Sequence, residues 1–369
     1  MKFRNLLFTT LCTLLIGATF TSCSDDDDPS LVDDGSVIEL PGRRAFILNQ
    51  GKMGSNNAGI AFFAPNKDAD FIGDIYQLQN KARLGDLAND IEEYDDHLYV
   101  IVSKSKYIAR LNSAGVETNR YQFPTTEGDP RCMVVEDGYV YVAQYGGQVC
   151  KLDAKTLNVV ATFKGGDNLD GIEEEDGKLY VSNTYRRNAD NKTEYNEEVF
   201  VIDTKSMKLI KSLPVVCNPN GMTEVDDKIF LISVGNYADI QSSLQIIDPR
   251  TDKVTDTKIN VSKITEGHNG LIYAVNAAYD ANWNMTNTFF SYNPATGTVN
   301  NNSFLKDAPE EFKTAAIYLM QVDPETEDIY IATSDYVNTG TIYRFNKEGY
   351  LQESFDTGGV NPAELVFID

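Results

Sequence analysis

One short pattern recurs seven times along the chain: a turn, then an aromatic residue between aliphatic or small residues. The aromatic residues of the seven copies are Phe46, Tyr99, Tyr141, Tyr180, Phe230, Tyr273 and Tyr330. A second strand-like segment follows each copy, and most of these segments end in Asp or Asn. The intervals between the aromatic residues run from 39 (Tyr141 to Tyr180) to 57 (Tyr273 to Tyr330). Units of several short strands at such intervals are typical of a β-propeller, in which each unit is a four-stranded blade.

The two ends of the repeat region are complementary. A third kind of segment, a Gly-, Asn- or Pro-containing loop followed by a short apolar strand, precedes several copies, and residues 359–368 form one with no unit after it. The first copy, around Phe46, has none before it. The sequence therefore predicts an all-β, seven-bladed β-propeller over residues 41–369, closed by the C-terminal strand completing the N-terminal blade. Two β-sandwiches are the alternative, which the unbroken series of seven copies disfavours.

The N-terminus has the features of an export signal. Lys2 and Arg4 precede an apolar run over residues 6–18, and small residues then lead to Cys23. This arrangement resembles a bacterial lipobox, which implies a signal peptide at 1–22 and a lipidated Cys23. An ordinary signal peptide with an incidental Cys is the alternative.

Four consecutive Asp residues, 25–28, follow Cys23, and we assign residues 23–40 to an acidic tether. The Ser-Asp-Asp-Asp-Asp run directly after the Cys resembles the surface-export signal of Bacteroidetes lipoproteins. The resemblance implies a protein exposed on the outer-membrane surface and bound to the membrane only through its lipid.

Composition limits the chemistry of the protein. The formal net charge is −23, with 32 basic and 55 acidic residues, which argues against nucleic acid or an anionic membrane face as partner. With 2 His and no recognisable catalytic, metal or cofactor motif, we expect no enzyme activity, no catalytic or metal-binding residues and no cofactor. After Cys12 and Cys23, only Cys132, Cys150 and Cys217 remain, and we expect buried free thiols rather than a disulfide framework.

The loops between the second and third strands of the predicted blades are long, and they are rich in Tyr, Asn and the single Trp. Such side chains suit a bulky, largely neutral ligand with many amides or hydroxyls. The candidate ligand-binding residues are Arg131, Tyr145, Tyr185, Arg186, Tyr237, Tyr279, Trp283, Tyr336, Asn49, Asn183 and Asn236. The alternative is that they form loops and pack on the blades, with Arg131 in an ion pair with Asp129 or Asp170.

The segment Leu179-Tyr180-Val181-Ser182-Asn183 and its relatives resemble the Tyr-Val-Thr-Asn (YVTN) family of propellers, which includes surface-layer and YncE-type proteins. Together with the lipobox, the Asp run and the aromatic loops, the chain resembles the BtuG-type surface lipoproteins of gut Bacteroidetes. This resemblance implies a monomeric propeller that binds cobalamin or a related corrinoid and delivers it to a TonB-dependent transporter. A protein- or glycan-binding propeller, or a propeller hydrolase or lactonase, is the alternative.

Overall fold

The computed structural model describes residues 34–65 and 71–368. The predictions for Cys23, the signal peptide and the Asp run lie outside these residues. None of the helices in the described part is long and apolar enough to cross a membrane.

The described strands form seven antiparallel four-stranded sheets. The first three blades contain β1 (Arg44–Asn49), β2 (Gly59–Phe63) and β3 (Phe71–Ile72); β4 (Ala88–Tyr94), β5 (His97–Val102), β6 (Tyr107–Asn112) and β7 (Glu117–Gln122); and β8 (Pro130–Glu136), β9 (Tyr139–Gln144), β10 (Gln148–Asp153) and β11 (Val159–Lys164). The next two contain β12 (Asn168–Glu175), β13 (Lys178–Arg187), β14 (Thr193–Asp203) and β15 (Lys208–Pro214); and β16 (Pro219–Val225), β17 (Lys228–Ser233), β18 (Ser243–Asp248) and β19 (Lys253–Ile259). The last two contain β20 (Lys263–Glu266), β21 (Ile272–Tyr279), β22 (Met285–Asn293) and β23 (Thr298–Asn300); and β24 (Ala316–Val322), β25 (Ile329–Ser334), β26 (Thr341–Phe345) and β27 (Leu351–Asp356). The final strand, β28 (Pro362–Ile368), returns to the first blade.

The closure predicted from the two chain ends is confirmed. β28 pairs antiparallel with β1, from Arg44 opposite Ile368 to Leu48 opposite Glu364. The Asn361 amide donates a hydrogen bond to the Gly51 carbonyl oxygen at 3.0 Å, which extends the seam beyond the strands. The first blade is therefore built from both ends of the chain, and the ring has no open sheet edge at this junction.

The seven recurring aromatic residues occupy the second strand of each blade and are buried, with at most 6% exposure. Their alternation with β-branched and aliphatic neighbours is the pattern of a strand covered on both faces. Two of the tyrosines also connect blades: the Tyr99 hydroxyl donates to the Ala154 carbonyl at 2.9 Å, and the Tyr180 hydroxyl donates to Asp252 at 2.7 Å. The repeat thus supplies both the core and the contacts between neighbouring blades.

Helical structure is sparse in the described part. Two 3₁₀ segments span His268–Gly270 and Glu310–Lys313. A short helix that the sequence did not predict, α1 (Ile75–Asn80), lies between β3 and β4 and buries Ile75 and Tyr76. The Asp74 side chain accepts a hydrogen bond from the Gln77 backbone N–H and caps its start.

The packed structure begins inside the segment assigned to the tether. Leu40 is buried in the core of the first two blades, and Ile38 packs against the same cluster. The backbone N–H of Val37 donates to the Gln79 side chain at 2.7 Å. The part of the predicted tether from residue 34 onward therefore rests on the propeller.

The propeller has two different faces. We call the side with the first-to-second and third-to-fourth strand connections the turn face, and the opposite side the loop face. Two of the long connections between second and third strands are projecting hairpins. β13 and β14 pair as far as Arg187 and Thr193, and β21 and β22 pair as far as Tyr279 and Met285. These hairpins raise the loop face on the fourth and sixth blades.

Candidate functional site

The innermost strand of each blade, which we call the inner strand, borders the central channel of the propeller. The inner strands share an irregularity close to the loop face. In six of the seven, β4, β8, β12, β16, β24 and β28, the pairing with the second strand shifts register near the strand's first residues. An extra residue at such a bulge turns its side chain away from the regular pleat. We call the polar residues at five of these bulges the mouth cluster: Asn89, Arg131, Asp170, Asn220 and Tyr318.

One half of the mouth cluster is organised by Asp170, which is 7% exposed. The Arg131 Nε donates to its two carboxylate oxygens at 3.1 and 3.2 Å, and the Tyr145 hydroxyl donates to Oδ2 at 3.2 Å. The Asn220 amide makes a longer contact, 3.5 Å, to the same oxygen. Of the two ion pairs considered for Arg131, the structure forms the one with Asp170, while Asp129 pairs with lysines.

The other half is a hydrogen-bond chain. The Tyr318 hydroxyl donates to Gln50 Oε1 at 2.5 Å, and Gln50 Nε2 donates to Asn89 Oδ1 at 3.1 Å. Sequence reasoning selected Arg131 but missed Gln50, Asn89, Asp170, Asn220 and Tyr318 as members of one site. Of the missed residues, Asn220 had a usable sequence signal. An Asp-Pro or Asn-Pro pair precedes the bulged residue at Arg131, Asn220 and Ala363.

Aromatic side chains near the loop face of the third to seventh blades lie in pairs, which we call the aromatic rim. The ring centroids are 5.8 Å apart for Tyr195 and Tyr237, and 6.3 Å apart for Tyr279 and Trp283. They are 6.2 Å apart for Tyr145 and Tyr185, and 5.9 Å apart for Tyr318 and Tyr336. The structure therefore brings the six predicted aromatic candidates, Tyr145, Tyr185, Tyr237, Tyr279, Trp283 and Tyr336, to one face.

Three rim residues are exposed and held in an unusual backbone conformation. Tyr237, Trp283 and Tyr336 are 71, 78 and 56% exposed, and their φ angles are 58°, 65° and 65°. Bulky residues rarely adopt this left-handed conformation, which is unfavourable by about 1–2 kcal/mol for an L-residue. An exposed aromatic side chain in this conformation contributes little to the core, so the loop sequence holds it outward against local preference.

Asx-type hydrogen bonds fix the loops that carry these residues. Asn236 Oδ1 accepts from the N–H groups of Ala238 and Ile240 at 3.0 and 2.9 Å. The Asp280 side chain accepts two backbone N–H groups around Trp283, and Asp335 accepts two just after Tyr336. The predicted candidate Asn236 thus builds the loop that presents Tyr237.

Three other predicted residues have partners within the protein. Asn49 and Asn183 are each 1% exposed, and their amides donate to the Thr357 carbonyl and to Glu198 at 2.8 and 2.9 Å. The structure places both in the interior, where they support the blades rather than face solvent. Arg186 is exposed on the β13–β14 hairpin and pairs with Glu194 at 2.9 Å.

Below the mouth cluster, carboxyl groups line the channel and bond to the neighbouring inner strand. Glu364 accepts from the Ile91 N–H at 2.8 Å, Asp90 from Met133 at 2.6 Å, and Glu92 from Val135 at 2.9 Å. These N–H groups lie on strand edges that face the channel, so the acids satisfy donors that no strand pairs with. Burial, and then the nearby Asp90 carboxyl, raises the pKa of Glu92 and Glu364.

Across residues 34–65 and 71–368, no three His, Cys, Asp or Glu side chains are grouped so that they could hold a metal ion. Cys132, Cys150 and Cys217 are free thiols. Cys150 and Cys217 are buried, as expected for thiols in the core, and Cys132 is partly buried beside Asp170.

The seven sheets and their closure define the chain as a seven-bladed β-propeller. It belongs to the family described as a domain of unknown function, DUF5074, whose model matches residues 43–367. No curated protein matches the chain.

Solved structures with the same fold are distant in sequence. Hydrazine synthase of Kuenenia stuttgartiensis superimposes with a TM-score of 0.57 at 15% identity, covering 71% of this chain and 77% of that one. A streptogramin B lyase gives 0.55 at 13% identity, covering 84% and 87%. The computationally designed Ika8 protein gives 0.54 at 10% identity, covering 86% and 88%. At these identities the similarity concerns the fold alone.

Proposed function

We propose that this protein binds a bulky, largely neutral ligand on its loop face. The observation that carries the proposal is the aromatic rim, in which Tyr237, Trp283 and Tyr336 are exposed in left-handed conformations around a polar mouth. Tyr and Trp supply rigid contact area for stacking, and the mouth cluster supplies amide, hydroxyl and guanidinium groups for orientation. Exposed aromatic residues concentrated on one face are the usual mark of a recognition surface.

Within that class, we propose cobalamin or a related corrinoid, the ligand implied by the resemblance to BtuG-type lipoproteins. A corrinoid has a flat macrocycle bordered by amides, which matches stacking residues around hydrogen-bonding groups. We further propose that lipidated Cys23 holds the protein, as a monomer, on the outer-membrane surface. There it delivers the ligand to a TonB-dependent transporter.

This proposal includes no catalytic step. The His97 Nδ1 lies 2.6 Å from the carbonyl of Asp95 in its own turn. His268 lines a turn-face cavity of about 480 Å³ and lies 3.4 Å from Glu327. No Ser or Cys is among the described residues that line this cavity, so the histidine has no nucleophile to activate there.

A glycan is the second candidate ligand, and a specific feature favours it. A cavity of about 430 Å³ on the loop face adjoins Tyr336 and is lined by the hydroxyl residues Thr314, Thr333, Ser334, Thr339 and Thr341. Hydroxyl groups beside an aromatic ring suit a sugar, which presents its own hydroxyls and a flat apolar face.

Calorimetry with cobalamin tests the first proposal, using the full chain with Cys23→Ala so that no lipid is attached. We expect saturable binding at micromolar protein, lost or strongly weakened in Trp283→Ala and Tyr237→Ala. Tyr350→Ala is the matched control, because Tyr350 is a 52% exposed aromatic residue next to β27 on the turn face. Absence of heat with cobalamin would reject the corrinoid, and heat with oligosaccharides that depends on Tyr336 would favour the glycan.

A further inference from the structure

Arg131 is held by one side of its guanidinium group only. Its Nε makes both hydrogen bonds to Asp170, and within residues 34–65 and 71–368 neither Nη1 nor Nη2 forms a hydrogen bond. The guanidinium carbon lies 5.6 Å from the centroid of the Tyr145 ring, which packs against the group. Asp170 and Tyr145 therefore fix the position of Arg131 and leave its two terminal nitrogens for another partner.

The head of Arg131 lies in the channel mouth. Its side chain is 29% exposed, so solvent reaches it. Its positive charge acts on Asp90, on the preceding inner strand, and on Tyr318, on an inner strand three blades away around the ring. In both cases burial raises the pKa and Arg131 opposes this effect. The Arg131 Nε contacts Asp170 on the next inner strand, and Asp170 in turn contacts Asn220 on the inner strand after that, so these side chains lie along the mouth of the channel.

The charge at this position contrasts with the rest of the chain. The protein carries a net charge of −23, yet the inner strands present Arg131 and Lys263 close to the loop face. Lys263 has no hydrogen bond or ion pair in the described part, and the charge it senses is that of Glu364. Burial opposes the charged form of Arg131, but Asp170 and Tyr145 outweigh that effect and raise its pKa, so it stays cationic.

We propose that the Nη1 and Nη2 edge of Arg131 binds one anionic group, a phosphate or a carboxylate, of a ligand seated on the loop face. Two parallel N–H groups of a guanidinium match two oxygens of such an anion, and charge-assisted pairs of this kind are stronger than neutral hydrogen bonds. Asp170 does not compete for this edge, because it already accepts from Nε. The inference rests on the proposed function in placing the larger ligand on this face, while the anion contact itself stands on the geometry of Arg131.

The test uses simple anions, inorganic phosphate and malonate, with the full chain carrying Cys23→Ala. Proton–nitrogen correlation spectra of the arginine side chains, with the Arg131 signal assigned from Arg131→Lys, report directly on the guanidinium group. We expect saturable shifts of the Arg131 signal, and the tighter of the two anions identifies the group as phosphate or carboxylate. The variants lack this signal, so calorimetry with the same anions measures their affinity. It should fall about tenfold or more in Arg131→Lys, which keeps the charge but lacks the fork, and binding should be lost in Arg131→Gln.

Arg250→Gln is the matched control, since Arg250 is an exposed arginine on the turn face that is likewise paired with a carboxylate. It should leave the Arg131 shifts unchanged. An Arg131 signal that does not move where other arginine signals do, or equal affinity in Arg131→Lys, would overturn the proposal. If Arg131→Gln does not fold, Arg131→Lys still decides the question.

Corrinoids separate this inference from the proposed function. Cobalamin carries a phosphodiester, whereas cobinamide lacks the nucleotide and its phosphate. If cobalamin binds, Arg131→Gln should weaken it about tenfold and leave cobinamide unaffected. Equal loss for both would overturn the assignment of the anion to Arg131. Anion shifts without any corrinoid binding would instead support the anion site and reject the corrinoid.

Discussion

The two faces of the propeller both use left-handed backbone positions, but they fill them with different residues. On the turn face these positions include Asp95, Asp96, Asp226 and Asp227, or Asp followed by Gly, as at Asp137, and two buried apolar residues, Leu157 and Met207. On the loop face they include Asn56, Asn191, Asn218 and Asn361, and the three exposed aromatic residues Tyr237, Trp283 and Tyr336. Asp and Gly tolerate positive φ angles and form the tight hairpin turns that match strand twist, whereas aromatic residues do not favour them. The turn face buries its large apolar residues at these positions, Leu157 and Met207, whereas the loop face exposes three aromatic residues.

The same comparison explains part of the net charge. The acidic residues of the first-to-second strand connections are turn formers whose conformation the hairpins require. They indicate how the blades reverse direction rather than what the protein binds. The three exposed aromatic residues of the loop face are not turn formers of this kind, which supports the ligand site proposed there.

Removing β28 should have the largest effect on stability, because this strand closes the ring that carries both faces. A chain that ends at residue 361 lacks β28 and leaves β1 with an unpaired edge and the first blade with three strands. We expect loss of cooperative thermal unfolding, followed by circular dichroism. A chain that lacks residues 24–33 is the control and should melt like the parent. An unchanged Tm in the truncated chain would show that the ring does not need its closing strand.

On the turn face, Asp323→Asn should lower the free energy of unfolding of the protein by about 3 kcal/mol, because Asp323 is buried and bound by the Arg43 guanidinium. Burial raises the pKa of Asp323, but Arg43 and the backbone N–H groups outweigh this effect and lower it. The ion pair therefore stabilises the fold above the unfolded-state pKa, and this contribution is lost as the pH falls through the folded-state value. Urea unfolding measures the loss. On the loop face, Asp335→Asn keeps the accepting oxygen of its turn and should change stability less.

The channel between the faces should give a pH dependence of opposite sign. Burial, and then the charge of Glu224, raises the pKa of Glu173 from 4.5 to about 8. Since the folded state keeps a proton that the unfolded chain releases, stability falls as the pH rises from 4.5 to 8. Glu173→Gln should be more stable than the parent by a few kcal/mol at pH 8 and equal to it at pH 4.

Urea unfolding at several pH values measures this difference. Glu194→Gln, on the exposed loop-face hairpin, is the control and should not reproduce the slope. A Glu173→Gln variant no more stable than the parent at pH 8 would mean that Glu173 ionises freely in the channel.

The smallest effect tests the comparison most directly. Trp283→Gly places the residue that tolerates positive φ at the tip of the β21–β22 hairpin, and we expect a gain of about 0.5 kcal/mol or a little more. The same change should weaken ligand binding. Asp227→Gly, on the turn face, should bring a smaller gain and no effect on the ligand. A loss of stability in Trp283→Gly would mean that the indole packs for structural reasons.

The fold was more predictable than the site. The seven aromatic-centred strands and the complementary chain ends are local patterns, and they determined the blade number and the closing strand correctly. Helix α1 was missed because its six residues show too little periodicity to detect. The packing of Leu40 was missed because a single apolar residue beside an acidic segment gives no pattern.

The site depends on contacts between residues far apart in sequence. The exposed aromatic residues were found because Tyr and Trp are conspicuous in polar loops, but Asn49 and Asn183 have the same composition signal and lie inside. Gln50, Asn89 and Tyr318 meet only after the last blade closes on the first, and a bulge, which sequence rarely reveals, orients two of them.

The seam between β1 and β28 also bears on how the chain is made. The Asn361 to Gly51 hydrogen bond joins residues 310 positions apart. The first blade therefore cannot be completed before residues 362–368 have been synthesised. Until β28 pairs with β1, one edge of β1 has no partner strand, and such an exposed edge favours aggregation. A chain that lacks its last residues therefore keeps the edge of β1 exposed, and the ring stays open.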